Sequence, residues 1–234
     1  MENLKLAHEN LKKNMNKKDD LVKNTFYITY AFLMTTATIT FIEAIRTKDI
    51  KIRNILNLET CISVVAAFFY GNFVSYMDDE NFSYEKININ RYTDWAITTP
   101  IMLLVLVLAF LYNTKGGPLN FFTFCLILLL NYGMLGAGYI GEIGLMDRTK
   151  ANTVGFIFFA LLYSFIYMKF LKGKYNKDNN ILYWSFVILW AFYGIFYFTE
   201  PIMRNVGYNI LDLLSKCFVG IFFWAYFTGV FKLN

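Results

Sequence analysis

VGYNILDLLSKCFVGIFFWAYFTGVF, residues 206–231, is an apolar run that carries only two charges, Asp212 and Lys216. As a helix rising ~1.5 Å per residue it is long enough to cross a bilayer. The i, i+4 spacing stacks the carboxylate and the amine on one helix face. A bare ammonium at mid-membrane depth costs at least ~3 kcal/mol even on the lenient insertion scale. Lys216 is therefore expected to face a protein interior, paired or chemically used. Two readings of the pair stay open at this point. One is a structural ion pair. The other is a lysine that holds a carbonyl cofactor as a Schiff base, with Asp212 as part of its counter-ion.

Six further apolar spans precede this one, at about 25–45, 54–77, 92–113, 119–141, 153–171 and 180–199. Each is close to the ~20 residues a crossing needs, and the short connections imply antiparallel neighbours. The expected fold is an all-α membrane protein, a seven-transmembrane helix bundle over residues 25–234. Residues 1–24 are expected as a polar N-terminal segment, either a short amphipathic helix carrying Leu4, Leu11 and Met15 or a solvated tail, with no cleavable signal peptide. Composition agrees: 57% of the 234 residues are hydrophobic and only 17% charged, against roughly 25% in a soluble domain. The net charge of +5 sits in tails and loops without a basic groove pattern, so a lipid bilayer and not nucleic acid is the expected partner. Cys61, Cys125 and Cys217 each lie in an apolar run and read as small buried hydrophobes. The single histidine, His8, offers nothing on which to build a metal site.

Loop cations set the expected orientation. Arg46, Lys48, Lys51, Arg53, Lys115, Lys172, Lys174 and Lys177 follow spans one, three and five, and Lys232 is in the tail. Asp78, Asp79, Glu80, Glu85, Asp147 and Glu200, against Lys86, Arg148, Lys150 and Arg204, follow spans two, four and six. That places the N-terminus outside and the C-terminus in the cytoplasm, although the lysine-rich N-terminal segment pulls the other way.

Span three opens with RYTDWAITTP, residues 91–100. Asp94 and Thr98 share a face, and Arg91 lies one turn earlier. With Asp212 and Lys216 these residues make a buried set of two cations and two carboxylates, the balance a protonated Schiff base needs.

RYTDWAITTP on the third helix and DLLSK, residues 212–216, on the seventh resemble the signatures of the microbial (type I) rhodopsins, bacteriorhodopsin-like retinal proteins. The resemblance runs from about residue 25 to the end in helix count and motif placement. It implies all-trans retinal on Lys216, Asp94 as counter-ion and proton acceptor, and Asp212 as second counter-ion. Thr98 would hydrogen-bond Asp94, and Arg91 would gate the extracellular half. It also implies a retinal pocket drawn from Trp95, Thr99, Met102, Met134, Gly138, Trp190, Tyr193 and Tyr197, with Gly136 near the ionone ring. An apolar Met102 implies green absorption. The resemblance further implies a photoreceptor or ion transporter, not an enzyme, and a homo-oligomer, trimer or pentamer.

Departures from the family pattern bear on function. Val105 stands where proton pumps of this kind commonly carry a carboxylic donor, and valine cannot donate. Glu59, in NLETCISVV at residues 57–65, is a possible substitute, since a glutamic acid buried there could hold a proton for the Schiff base. Pairing with Arg53 or another loop cation is the alternative. Gly194 replaces a helix-six proline, Tyr197 replaces a tryptophan, and Glu200 reads as a loop carboxylate or part of a proton-release group. The expected function is light-driven outward transport of protons with a non-standard or missing cytoplasmic donor. The alternative is a light-gated channel for small cations, lined by Asn72, Asn131, Glu59 and Glu43. A photosensor comes third.

Overall fold

The computed structural model describes residues 2–77, 79 and 82–229, with side chains from residue 19 onward. The expectations placed on Asp78, Glu80, Lys232 and the side chains of Leu4, His8, Leu11 and Met15 lie outside the described residues. Seven helices follow in order: α1 Glu2–Arg46, α2 Ile50–Tyr76, α3 Tyr84–Asn113, α4 Phe121–Glu142, α5 Arg148–Leu171, α6 Lys177–Phe196 and α7 Pro201–Phe227. Seven stretches within them are long and apolar enough to cross a bilayer, and no strand occurs among the described residues. Phe122 is 79% exposed and Leu129 67%, which suits a surface facing lipid. The protein is an integral, multi-pass membrane protein.

The helix starts follow local chemistry. Asp49, Asn120, Asp147 and Asn176 each accept a hydrogen bond from a backbone N–H of the turn they cap, at 2.8–3.3 Å. These side chains satisfy donors that a helix N-terminus leaves open. Pro201 occupies the first turn of α7, where its missing N–H costs nothing. α1 packs against both α2 and α7, and α3 touches α2, α4, α6 and α7, so the bundle closes on itself with α3 and α7 central.

Two boundaries differ from the sequence expectation. α1 is continuous from Glu2, and Val22 is already fully buried against the bundle. α7 begins at Pro201, so Arg204 is not a loop cation: it is fully buried. Lys51, Arg53, Glu85, Lys86, Arg148, Lys150 and Lys177 likewise sit in first helical turns and not in loops.

Arg204 Nη1 pairs with Glu142 at 2.6 Å, and Arg148 reaches the same carboxylate at 3.2 Å, joining the ends of α4, α5 and α7. Removing one partner of a buried pair strands the other charge. Glu142→Ala should therefore lower unfolding stability by about 3–5 kcal/mol, measured by thermal or denaturant melting in detergent. An unchanged melt would mean that Arg204 finds another partner.

Candidate functional site

α7 carries Asn205, Tyr208, Asn209, Asp212, Ser215 and Lys216 at successive steps of one or three residues, and all six are buried. The stretch Leu213–Phe218 is π-helical, a wider turn that often marks functional positions. It carries Ser215, Lys216 and Cys217, all buried in the bundle interior.

Lys216 Nζ donates to Asp94 Oδ2 at 2.7 Å and lies 3.4 Å from Asp212 Oδ1, with all three side chains at most 1% exposed. The two carboxylates differ in their surroundings. Asp212 accepts from the hydroxyls of Tyr70 at 2.8 Å and Tyr193 at 2.7 Å, and Arg91 Nη1 stands 3.5 Å away. Asp94 bonds Lys216 through Oδ2, while its buried Oδ1 has no hydrogen-bond partner among the described residues. Asp212 is thus held by neutral and charged donors, and Asp94 keeps free acceptor capacity.

Arg91 is fully buried and donates to the Tyr70 hydroxyl at 3.1 Å, to Asn205 Oδ1 at 3.2 and 3.3 Å, and to Asn209 Oδ1. The rings of Phe26, Tyr70, Phe73 and Tyr208 surround its guanidinium at 5.1–5.8 Å, close enough for cation–π attraction. Thr98 does bond Asp94, but through the backbone: its hydroxyl donates to the Asp94 carbonyl at 2.9 Å, the back-bond common for threonine inside a helix.

A cavity between α3, α4, α5, α6 and α7 opens beside Lys216. Trp95, Thr99, Met102, Met134, Gly138, Trp190, Tyr193 and Tyr197 all line it together with the lysine. Gly136 does not. Trp95 packs edge-on against Tyr193 and Tyr208, with centroids 5.4 and 5.0 Å apart. The Tyr197 hydroxyl donates to the Gly138 carbonyl at 3.0 Å. A methyl at position 138 would meet the Tyr92 hydroxyl at 2.7 Å, and one at 194 would meet Phe156 at 2.5 Å. Gly194 therefore serves the approach of α5 to α6, and α6 runs through it unbroken.

Glu59 is 2% exposed on α2. Arg53 turns its guanidinium to the Thr47 carbonyl at 2.8 Å, and Glu59 forms no ion pair among the described residues. Its carboxyl meets Gly220, one α7 turn beyond Lys216. Val105 is fully buried among apolar residues. Glu200 is exposed.

The four residues expected along a second path lie on α1, α2 and α4. Asn72 is exposed, Glu43 pairs with Arg46 at 3.7 Å, and Asn131 donates to Thr99 at 2.9 Å. Tyr70, Asn205, Asn209, Tyr208 and Ser215 were missed from sequence. The three- and four-residue polar stripe on α7 was a signal for the last four. Tyr70 had none, because its partner Asp212 is 142 residues away.

Residues 21–230 match the family model described as bacteriorhodopsin-like protein. The structure is similar to the crystal structure of the viral rhodopsin OLPVRII, with 56% identity, a TM-score of 0.86, and 91% of this chain and all of that one covered. It shares its fold with halorhodopsin from Halobacterium salinarum at 15% identity and a TM-score of 0.75, over 90% of this chain and 95% of that one. The blue-light absorbing proteorhodopsin of the gamma-proteobacterium Hot 75m4 is 27% identical over 57% of this chain and 59% of its own length. With the match spanning nearly the whole bundle, the chain belongs to the bacteriorhodopsin-like family of microbial rhodopsins.

Proposed function

We propose that the protein is a light-driven outward proton pump that carries all-trans retinal on Lys216. The residues present fit that group. A long apolar cavity walled by tryptophan and tyrosine begins at the lysine amine, and Gly138 and Gly194 leave space that side chains would fill. Retinal, when bound, supplies a light-driven isomerisation that re-aims the Lys216 nitrogen.

The carrying observation is the unequal pair of carboxylates. Asp94, at 2.7 Å and with an open Oδ1, is placed to take a proton from Lys216 Nζ. Asp212, bonded by two tyrosines and faced by Arg91 and Lys216, has both oxygens engaged and contributes to the site's charge balance. Arg91, fixed by two asparagines and its aromatic cage, keeps a positive charge on the far side of Asp94.

Glu59 supports the return step that Val105 cannot make. It is buried on α2 without an ion pair among the described residues, a setting that favours an acid able to carry a proton. The excess of cations near the opposite ends of the helices supports an Arg91 side that faces outward, and so outward transport. Met102, an apolar neighbour of the cavity, supports green absorption.

Light-evoked current in voltage-clamped cells supplied with all-trans retinal tests this reading. An outward current at every holding voltage is expected. A current that reverses with the cation gradient would replace the pump with a light-gated channel.

A further inference from the structure

Helix geometry offers Arg91 two carboxylates. Asp94 lies three residues on along α3, a neighbouring position on the helix surface, and its Oδ1 has no hydrogen-bond partner among the described residues. Asp212 lies across the interface on α7, 3.5 Å from Arg91 Nη1. The bundle pairs Arg91 with Asp212, and the acceptors around the guanidinium account for the choice. Asn205 Oδ1 accepts from Nε at 3.3 Å and from Nη2 at 3.2 Å. Asn209 Oδ1 accepts from Nη2 as well. The Tyr70 hydroxyl, which donates to Asp212 at 2.8 Å, stands 3.1 Å from the same oxygen.

Asn209 is itself anchored from the other side. Its Nδ2 donates to Thr25 Oγ1 at 2.9 Å, and its carbonyl accepts from the Thr29 hydroxyl at 3.2 Å. Both threonines are on α1, so this one residue ties α1, α2, α3 and α7 together beside the site. The amide cannot turn over without setting its own N–H groups against those of Arg91, which has no acceptor. An amide also holds the guanidinium without adding charge. Arg91 and Lys216 balance Asp94 and Asp212 in the buried site, and a third carboxylate would upset that balance.

We propose that Asn209 is the positioning residue that assigns Arg91 to Asp212 and keeps it off Asp94, with Thr25 and Thr29 fixing Asn209 from α1. The inference deepens the acceptor reading of Asp94, and its consequence for transport rests on that reading. A guanidinium bonded to Asp94 would occupy the oxygen that the acceptor role leaves open. Without Asn209, Arg91 Nη2 loses an acceptor, and the open Oδ1 one turn along its own helix offers a charged replacement.

Absorption spectra of the purified protein with all-trans retinal in the dark, together with flash photolysis, test the assignment. Asn209→Leu replaces the amide with methyl groups that can hold no guanidinium. Arg91 then turns toward Asp94, which at 2.7 Å is closer to Lys216 Nζ than Asp212 at 3.4 Å, and weakens its hold on the lysine cation. The absorption maximum should move to longer wavelength. The light-driven loss of the proton from Lys216 Nζ should slow about tenfold, the rate equivalent of one lost hydrogen bond. Thr25→Val should change both in the same sense and by less, and it carries the test if Asn209→Leu forms no pigment. In an Arg91→Gln background neither substitution should move the absorption maximum further, because the group they position is gone. Equal shifts with and without Arg91, or parent-like spectra in both backgrounds, would overturn the assignment. The dark spectrum depends on where the Arg91 charge rests and not on transport. A shift that disappears without Arg91, joined to unslowed proton loss, would therefore keep the positioning role and remove Asp94 as the acceptor.

Discussion

Lys216→Ala abolishes the visible pigment: protein reconstituted with all-trans retinal should show only the absorption of the free aldehyde. The reason is covalent. Of the residues lining the cavity, Lys216 alone carries an amine. The substitution also removes one of two cations from a site that holds Asp94 and Asp212, leaving Arg91 to face both carboxylates. That imbalance destabilises the bundle, so loss of colour in the single variant could reflect misfolding. The double variant Lys216→Ala/Asp94→Asn separates the two effects, because it removes one charge of each sign. It should melt closer to the parent than the single variant and still form no pigment. A normal pigment in either variant would overturn the assignment of Lys216.

Asp94→Asn should still form a pigment, shifted to longer wavelength, and should stop light-driven acidification of the medium. Asp212 remains 3.4 Å from Lys216 Nζ, so the cationic linkage keeps one counter-ion. Excitation moves positive charge away from that nitrogen and along the polyene. A carboxylate 2.7 Å from the nitrogen stabilises the ground state more than the excited state. Replacing it with an amide therefore lowers the excitation energy. Transport stops because Asp94 is the carboxylate with an open acceptor oxygen, whereas both oxygens of Asp212 are already engaged by tyrosine hydroxyls. Absorption spectra and pH-electrode traces on illuminated vesicles check the two halves. Undiminished acidification would move the acceptor role to Asp212.

The membrane class and the helix count were determined by the sequence alone, because the bilayer permits few solutions to a chain with seven apolar runs. The buried lysine and the two carboxylates that pair with it were legible as well. Asp212 and Lys216 are one turn apart on one helix, and charges inside apolar spans are too costly to lie there without use. The aromatic wall was legible only through the family resemblance, since Trp95, Trp190 and Tyr193 at helical spacing read first as core.

Other features were decided by the tertiary structure. Tyr70 reaches Asp212 across 142 residues, and no local period records that distance. Arg204 read as a loop charge until Pro201 started α7 early and buried it against Glu142. Glu59 stood between an interfacial ion pair and an interior acid, and α2 resolved this by turning Arg53 to Thr47 and Glu59 to Gly220. The unequal bonding of Asp94 and Asp212, on which the acceptor assignment rests, is equally invisible in one dimension. Both are aspartates in apolar helices, and only the partners brought from α2 and α6 make them different. A single helix determines which residues share a face, whereas the partners of that face come from chain segments whose distance only the closed bundle sets.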